Sequence, residues 1–296
     1  MKFFLYSLII LLLGILPNIN IAQDYVIPLW ENNAQNIVDE ATDSEYFYSV
    51  LRPEISVYLS TKRSATGQAI LIIPGGGYHK VTFRWEGTDV AKWLNANGIA
   101  GIVLKYRLPN IERDSQSKNY PLLDARKAIK IIRKNANKWN ISKEKIGVMG
   151  FSAGGHLASM LGTIECKNKS EHDTANTCPN FMILMYPVIT MDEKITESGS
   201  KENLIGRNPP TELIEYYSTD KQISSKTPET FIVHASDDNV VNVKNSILFY
   251  EALIRNAVGA EMHIYQNGGH GFSLANGKGY LSSWRNRCLD WLKNIQ

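Results

Sequence analysis

Ile146-Gly147-Val148-Met149-Gly150-Phe151-Ser152-Ala153-Gly154-Gly155 is the stretch whose reading decides the fold. Ile146 to Met149 is a short apolar run, the pattern of a buried strand. Leu157, Met160, Leu161 and Ile164 then recur at helical spacing. Between strand and helix lies G-x-S-x-G, a tight turn that strains the serine backbone and pushes its hydroxyl outward. Side chains two residues to either side of the serine would collide in such a turn, so Gly150 and Gly154 are required. The helix that follows points its positive end at the serine. A serine hydroxyl remains a poor nucleophile without a base beside it, so the rest of the chain is read for partners.

Outward from this turn, short apolar runs alternate with amphipathic ones. Residues 69–73, 99–106, 146–149, 181–185, 231–233 and 262–265 are nearly continuous in apolar residues, as parallel strands covered on both faces are. Residues 56–59 form a weaker strand pattern, expected to be antiparallel. Leu122, Ala125, Ile129, Ile132, Ala136 and Trp139 share one face only in a helix, and Leu281, Trp284, Cys288, Trp291 and Ile295 do the same at the C-terminus. A shorter stripe, Val90, Trp93 and Leu94, is stopped by Asn97-Gly98. Strand–helix alternation predicts an α/β fold, a doubly wound and mostly parallel sheet with helices on both faces. Ligands bind such sheets beyond the carboxyl ends of the strands. Residues 190–230 break the rhythm: they are polar, carry Pro209-Pro210, and are too long for a plain connection. A lid or a substrate-shaping insertion is expected there.

The strand ends supply the partners. Of the six histidines, only His270 follows the last strand, inside Gly268-Gly269-His270-Gly271-Phe272. His263 alternates within a strand, His234 ends one, His156 lies in the helix after the serine, and His172 in a polar loop. A base needs a carboxylate to fix its tautomer. The strand at 231–233 runs into Asp237 and Asp238, either of which can serve. Asp238 is preferred because D-x-x-V before a helix recurs at acid positions of this fold, leaving Asp237 solvated or holding the turn. The strand at 69–73 runs into Pro74-Gly75-Gly76-Gly77-Tyr78, where successive glycines let backbone N–H groups approach a developing oxyanion. Gly76 and Gly77 are the expected donors, with Ala153. No phosphate-loop spacing follows.

These motifs together resemble the α/β-hydrolase serine esterases related to hormone-sensitive lipase, in particular the bacterial acetyl-xylan-esterase-like branch. The likeness is carried by Pro74 to Tyr78, Val103 to Leu108, Gly147 to His156, Gly268 to Phe272, and Thr227-Pro228 through Val241. Pro74 stands where that group's HGGG motif has histidine. The resemblance implies that His270 takes the Ser152 proton as the serine attacks an ester carbonyl. Gly76, Gly77 and Ala153 would hold the oxyanion, and water would release the acid from an acyl-enzyme, with no metal or organic cofactor. It implies short acyl groups, acetate above all, on plant or algal polysaccharide or oligosaccharide hydroxyls. Tyr78, His79, Trp85 and Glu86 follow the oxyanion loop and are candidate sugar contacts; alternatively, Glu86 begins the next helix, where its charge suits the N-terminus.

Composition adds exclusions rather than a partner. The 296 residues are 44% hydrophobic and 21% charged, with 32 basic against 29 acidic residues and a net charge of +3, which is globular and nearly neutral. No basic run speaks for nucleic acid. Met1-Lys2, an apolar run from Phe3 to Leu16, and Ala22 read as an export signal over residues 1–22. The run falls short of the roughly 20 apolar residues that span a bilayer, so no stable membrane insertion is expected after cleavage. The single domain would then be 23–296, in the periplasm or outside the cell; composition does not fix an oligomeric state. In that setting Cys166 and Cys178 can bridge a short loop, while Cys288 lies on a buried helical stripe. A glycan or small-molecule ester is the expected partner. Three alternatives stand beside the esterase: a serine peptidase of the same fold, a binding protein on a hydrolase scaffold, and a glycoside hydrolase. The last needs paired carboxylates that no motif here singles out.

Overall fold

The computed structural model describes residues 23–31, 45–167 and 176–295; the expected signal at 1–22 and His172 lie outside them. The apolar runs become strands of one eight-stranded sheet. In chain order these are β1 (Tyr25–Pro28), β2 (Glu54–Tyr58), β3 (Ala69–Ile73), β4 (Ala100–Lys105), β5 (Ile146–Phe151), β6 (Phe181–Met185), β7 (Glu229–Ala235) and β8 (Ala260–Tyr265). Their spatial order is β1-β2-β4-β3-β5-β6-β7-β8. β1 and β2 are antiparallel to their neighbours, and every pair from β4 onward is parallel. Every residue of β3, β4, β5 and β6 is buried, which is why those segments are apolar without alternation. The weak strand at 56–59 is β2, antiparallel as expected; β1 had no clear sequence signal.

Helices cover both faces. α2 (Tyr120–Asn135), α3 (Ala153–Met160) and α6 (Lys244–Arg255) pack Ile129, Ile132, Leu157, Phe249 and Leu253 into one core. α1 (Asp89–Ala96) and α7 (Trp284–Asn294) bring Val90, Leu94, Trp284, Cys288 and Leu292 to the other. Pro121 opens α2, where its missing N–H costs nothing. Residues 190–230 carry α4 (Ser198–Ile205) and α5 (Thr211–Tyr217). Both carboxylate oxygens of Glu197 cap α4, accepting from the amides of Gly199 and Ser200. Cys166 and Cys178 form a disulfide, and Cys288 is free and buried. Among the described residues no helix is long and apolar enough to cross a membrane.

Candidate active site

The parallel strands all point the same way, so the loops after β3, β5, β6, β7 and β8 meet at the carboxyl end of the sheet. Ser152 sits directly after β5 with φ 52° and ψ −120°, a left-handed φ that a residue with a Cβ adopts only under strain. Its surroundings hold it there. Its N–H donates to the Met185 carbonyl at 3.0 Å, and its own carbonyl accepts from His156 and Val188. A Cβ on Gly150 would lie 2.3 Å from the Gly154 carbonyl oxygen, and one on Gly154 would lie 2.2 Å from that of Ile73. Both glycines are therefore steric requirements of the turn.

His270 reaches Ser152 across the sheet edge. Its Nε2 lies 2.9 Å from Ser152 Oγ and its Nδ1 2.7 Å from Asp238 Oδ2. Asp238 Oδ1 accepts the amides of Val240 and Val241, both at 2.9 Å. His234, buried at the end of β7, adds a further contact: its Nε2 is 3.2 Å from Asp238 Oδ2 and 3.0 Å from the Val241 carbonyl. A carbonyl only accepts, so that nitrogen carries the proton, and Nδ1 accepts from Ser246 Oγ at 2.7 Å. Burial opposes charge on Asp238, yet hydrogen bonds from His234 and His270, the His270 charge and the Val241 amide overcome it. The carboxyl is held well below the usual carboxylate range. Asp237 has its own task. Its Oδ1 accepts the amides of Gly268 and Gly269, each at 2.8 Å, fastening the loop that carries His270.

On the far side of the serine lies the glycine loop after β3. A Cβ on Gly75 would come within 2.9 Å of the Ser152 Cβ, so loop and serine are in close apposition. Gly76 and Gly77 have φ of 124° and 64°. Among the described residues no acceptor takes the N–H of Gly76, Gly77 or Ala153; Ala153 opens α3, whose first amides have no partner within the helix. Tyr106 Oη donates to the Pro74 carbonyl at 2.9 Å, and Asn203 of α4 donates to that of Gly77 at 2.8 Å. Proline in place of histidine thus leaves the loop anchored through its carbonyls.

Two expected sugar contacts lie elsewhere. Tyr78 is buried, its ring in the core and its hydroxyl 2.8 Å from His156 Nδ1. His156 donates from Nε2 to the Tyr217 carbonyl at 2.7 Å, and burial pushes it down to about 4, so it is neutral. Tyr78 is therefore a strut between the loop, α3 and α5. Glu86 is also buried, with Oε2 accepting from the Gly75 amide and Oε1 from Tyr186 Oη, both at 2.8 Å. Both side chains are turned inward, and Glu86 lies in the first turn of the π-helical segment Arg84–Thr88 that runs directly into α1, as the helix-start alternative expects. His79 is exposed and packs edge-on against Tyr48. Trp85 is partly exposed and donates from Nε1 to the Gly271 carbonyl at 2.8 Å.

Tyr186 escaped the sequence reading. It follows β6 with φ 37°, its ring centroid is 4.9 Å from that of His270, and its hydroxyl accepts the Ser273 amide at 3.0 Å. Its place just after a buried strand was the available signal. Chemically, a hydroxyl bonded to an imidazole, itself bonded to a buried carboxylate and faced by free amides, can attack a carbonyl carbon and stabilise the resulting oxyanion.

Similarity to known proteins runs over most of the chain. The BD-FAE family model matches residues 55–253. An acetylxylan esterase of Xylanibacter ruminicola is 37% identical over 234 residues, 78% of this chain and 46% of that protein. The endo-1,4-beta-xylanase B of Butyrivibrio fibrisolvens is 34% identical over 259 residues, 86% of this chain and 39% of that protein. The chain thus spans less than half the length of these curated relatives. Among solved structures, an acetyl ester-xyloside bifunctional hydrolase from Caldicellulosiruptor lactoaceticus superposes with a TM-score of 0.78 at 37% identity, covering 92% of this chain and 97% of that one.

Proposed function

The chain belongs to the BD-FAE family and has the α/β-hydrolase fold, and on that premise we propose that it is an exported serine esterase removing acetyl groups from plant or algal polysaccharides or oligosaccharides. The unbroken contact from Ser152 through His270 to Asp238 carries the reading. Ser152 is the nucleophile, His270 the general base and then the acid, and Asp238 the group that orients the imidazole and stabilises its charged form. The amides of Gly76, Gly77 and Ala153 are the oxyanion donors. The serine attacks the ester carbonyl, His270 protonates the departing sugar hydroxyl, and a water activated by the same imidazole releases acetate from the acyl-enzyme.

The glycan is assigned to the cleft beside α4. A cavity of about 320 Å³ opens there, lined by Asn110, Glu112, Glu202, Asn203 and Arg207, and Asn203 joins it to the oxyanion loop. Residues 190–230 therefore act as a substrate-shaping insertion. His79 and Trp85, both exposed, remain candidate sugar contacts. Acetate release from acetylated xylan, measured beside aryl acetates of increasing acyl length, a peptide amide panel and an aryl xyloside, tests the assignment. Acetate release lost in Ser152→Ala is expected; activity surviving that change removes the serine mechanism, and faster amide cleavage points to a peptidase. The aryl xyloside is included because the solved relative is named for xyloside as well as acetyl ester hydrolysis.

A further inference from the structure

Glu86 and Tyr186 belong to neither the serine turn nor the acid–histidine pair, yet they join the loops on both sides of the serine. Glu86 Oε2 takes the Gly75 amide from the oxyanion loop. Oε1 takes the Tyr186 hydroxyl proton, because that hydroxyl already accepts the Ser273 amide and needs an acceptor for its own hydrogen. Both carboxylate oxygens thus receive donors, the arrangement that suits the anion. The neighbouring residue closes the same junction from outside: Trp85 Nε1 donates to Gly271, and Ser273 Oγ donates to the Trp85 carbonyl at 2.6 Å. The π-helical turn Arg84–Thr88 is therefore stitched to the loop carrying His270, and π-turns recur at functional sites for such re-aiming of side chains.

We propose that Glu86 is a positioning residue shared by both halves of the site, tying the oxyanion loop to the His270 loop through Tyr186 and favouring, by its charge, the imidazolium that forms on His270 during turnover. The catalytic consequence rests on the esterase reading above; the electrostatic one does not. The groups facing Glu86 are Tyr186 after β6, Tyr106 after β4, Lys80 of the oxyanion loop and His270 itself, while Asp238 faces Tyr186. Of these, His270 is the group whose charge changes in the cycle. Burial pushes the Glu86 carboxyl up, against the pull of Tyr186, Gly75, His270 and Lys80. Keeping the charge therefore depends on those partners, and an imidazolium nearby strengthens it.

Three variants separate strut from charge. Glu86→Gln keeps the shape and removes the charge, Glu86→Asp keeps the charge and shortens the reach, and Tyr186→Phe breaks the tie and removes one of the bonds that hold Glu86 charged. The first readout is the pH titration of the His270 ring by NMR, which needs no substrate. In Glu86→Gln its midpoint should fall by about half a pH unit or more, because a lost negative charge disfavours imidazolium. In Glu86→Asp it should stay nearer the wild-type value, and in Tyr186→Phe it should fall by less than in Glu86→Gln. The second is kcat on an aryl acetate, expected to drop about 30-fold in Glu86→Gln and about 10-fold in Tyr186→Phe with KM nearly unchanged, the pattern of an interaction made in the transition state. The acid limb of kcat/KM should move to lower pH most in Glu86→Gln.

An unmoved His270 midpoint in Glu86→Gln overturns the electrostatic role, and unchanged kcat in both Glu86→Gln and Tyr186→Phe overturns the tie. If Glu86→Gln does not fold, Tyr186→Phe decides: an unmoved His270 midpoint in it overturns the electrostatic role, and an unchanged kcat overturns the tie. Wild-type protein inactive on every ester would defeat the function proposed above, while the NMR titration would still decide for or against Glu86.

Discussion

Glycine flanks both Ser152 and His270, but for different reasons. At the serine turn, a Cβ on Gly150 or Gly154 would strike backbone oxygen at 2.2 to 2.3 Å. In the histidine loop, Gly269 and Gly271 have nothing within 4 Å of a Cβ position, and their φ values are 63° and 69°. The serine is held by enclosure: strand, glycine loop and helix leave it one conformation. The histidine is held by tethers, with Asp237 on the amides of Gly268 and Gly269, Trp85 on Gly271, and Tyr186 on Ser273. An enclosed group is set by local sequence, and a tethered one by side chains that arrive from distant strands. Damage to the first should therefore appear as lost stability, and damage to the second as lost turnover in a folded protein.

The sharpest way to break that contrast is at the two adjacent aspartates. Asp238→Asn should lower kcat by about 10⁴-fold, because the amide can stabilise the wrong imidazole tautomer. Asp237→Asn, which loosens a tether only, should cost about 10-fold; equal losses would exchange or merge their roles. Gly154→Ala comes next. Its new methyl meets the backbone of Ile73 and Pro74, and urea unfolding should show a loss of about 3 kcal/mol or more, as for other backbone clashes in a packed core. The acid side of the stability curve should show a smaller effect. The depressed Asp238 carboxyl contributes stability that is complete above its unfolded value, near 4, and is lost as pH falls toward the folded one. In Asp238→Asn, unfolding free energy should accordingly fall less steeply below about pH 4 than in wild type.

Trp85→Phe removes one partly exposed hydrogen bond. It should cost about 1 kcal/mol, a fall of about 2 °C in melting temperature, and lower kcat a few-fold. Smallest of all, Gly271→Asn introduces a side chain that tolerates positive φ and meets open space, so its cost should stay below about 1 kcal/mol. A large loss there, seen by thermal melting, would show that the histidine loop is enclosed after all.

The same contrast explains what could be read in advance. The buried strands were legible because both faces are covered and no alternation is needed, and Ser152 because its turn has a steric pattern over five residues. His270 stood out by following the last strand. The preference for Asp238 over Asp237 came from a pattern recurring in one fold, and the geometry places Asp238 on the imidazole and Asp237 on the loop. Glu86 and Tyr78 were candidate sugar contacts and both are buried, because sequence proximity to the glycine loop says nothing about inward or outward direction. Tyr78 has φ 56°, which turns it into the core, and no residue type encodes that turn. Tyr186 and Glu86 meet across 100 positions of sequence, a pairing that no local pattern carries. β1 was invisible because its four residues are mostly exposed and pair only at the sheet edge.

The disulfide between Cys166 and Cys178 has a use for protein engineering. It holds two backbone positions 4.9 Å apart, directly after the π-helical turn Leu161–Glu165 that continues α3. At the base of the ring, Thr177 bonds Glu165, and Arg133 donates to the Cys178 carbonyl. The bond thus closes a covalent ring over a sequence separation of 12, with Glu165 and Arg133 holding its two ends. Loop length enters closure entropy only logarithmically, so this ring is a graft point. A carbohydrate-binding peptide or an affinity tag inserted there would be clamped at its root and leave the serine turn, at the opposite end of α3, in register.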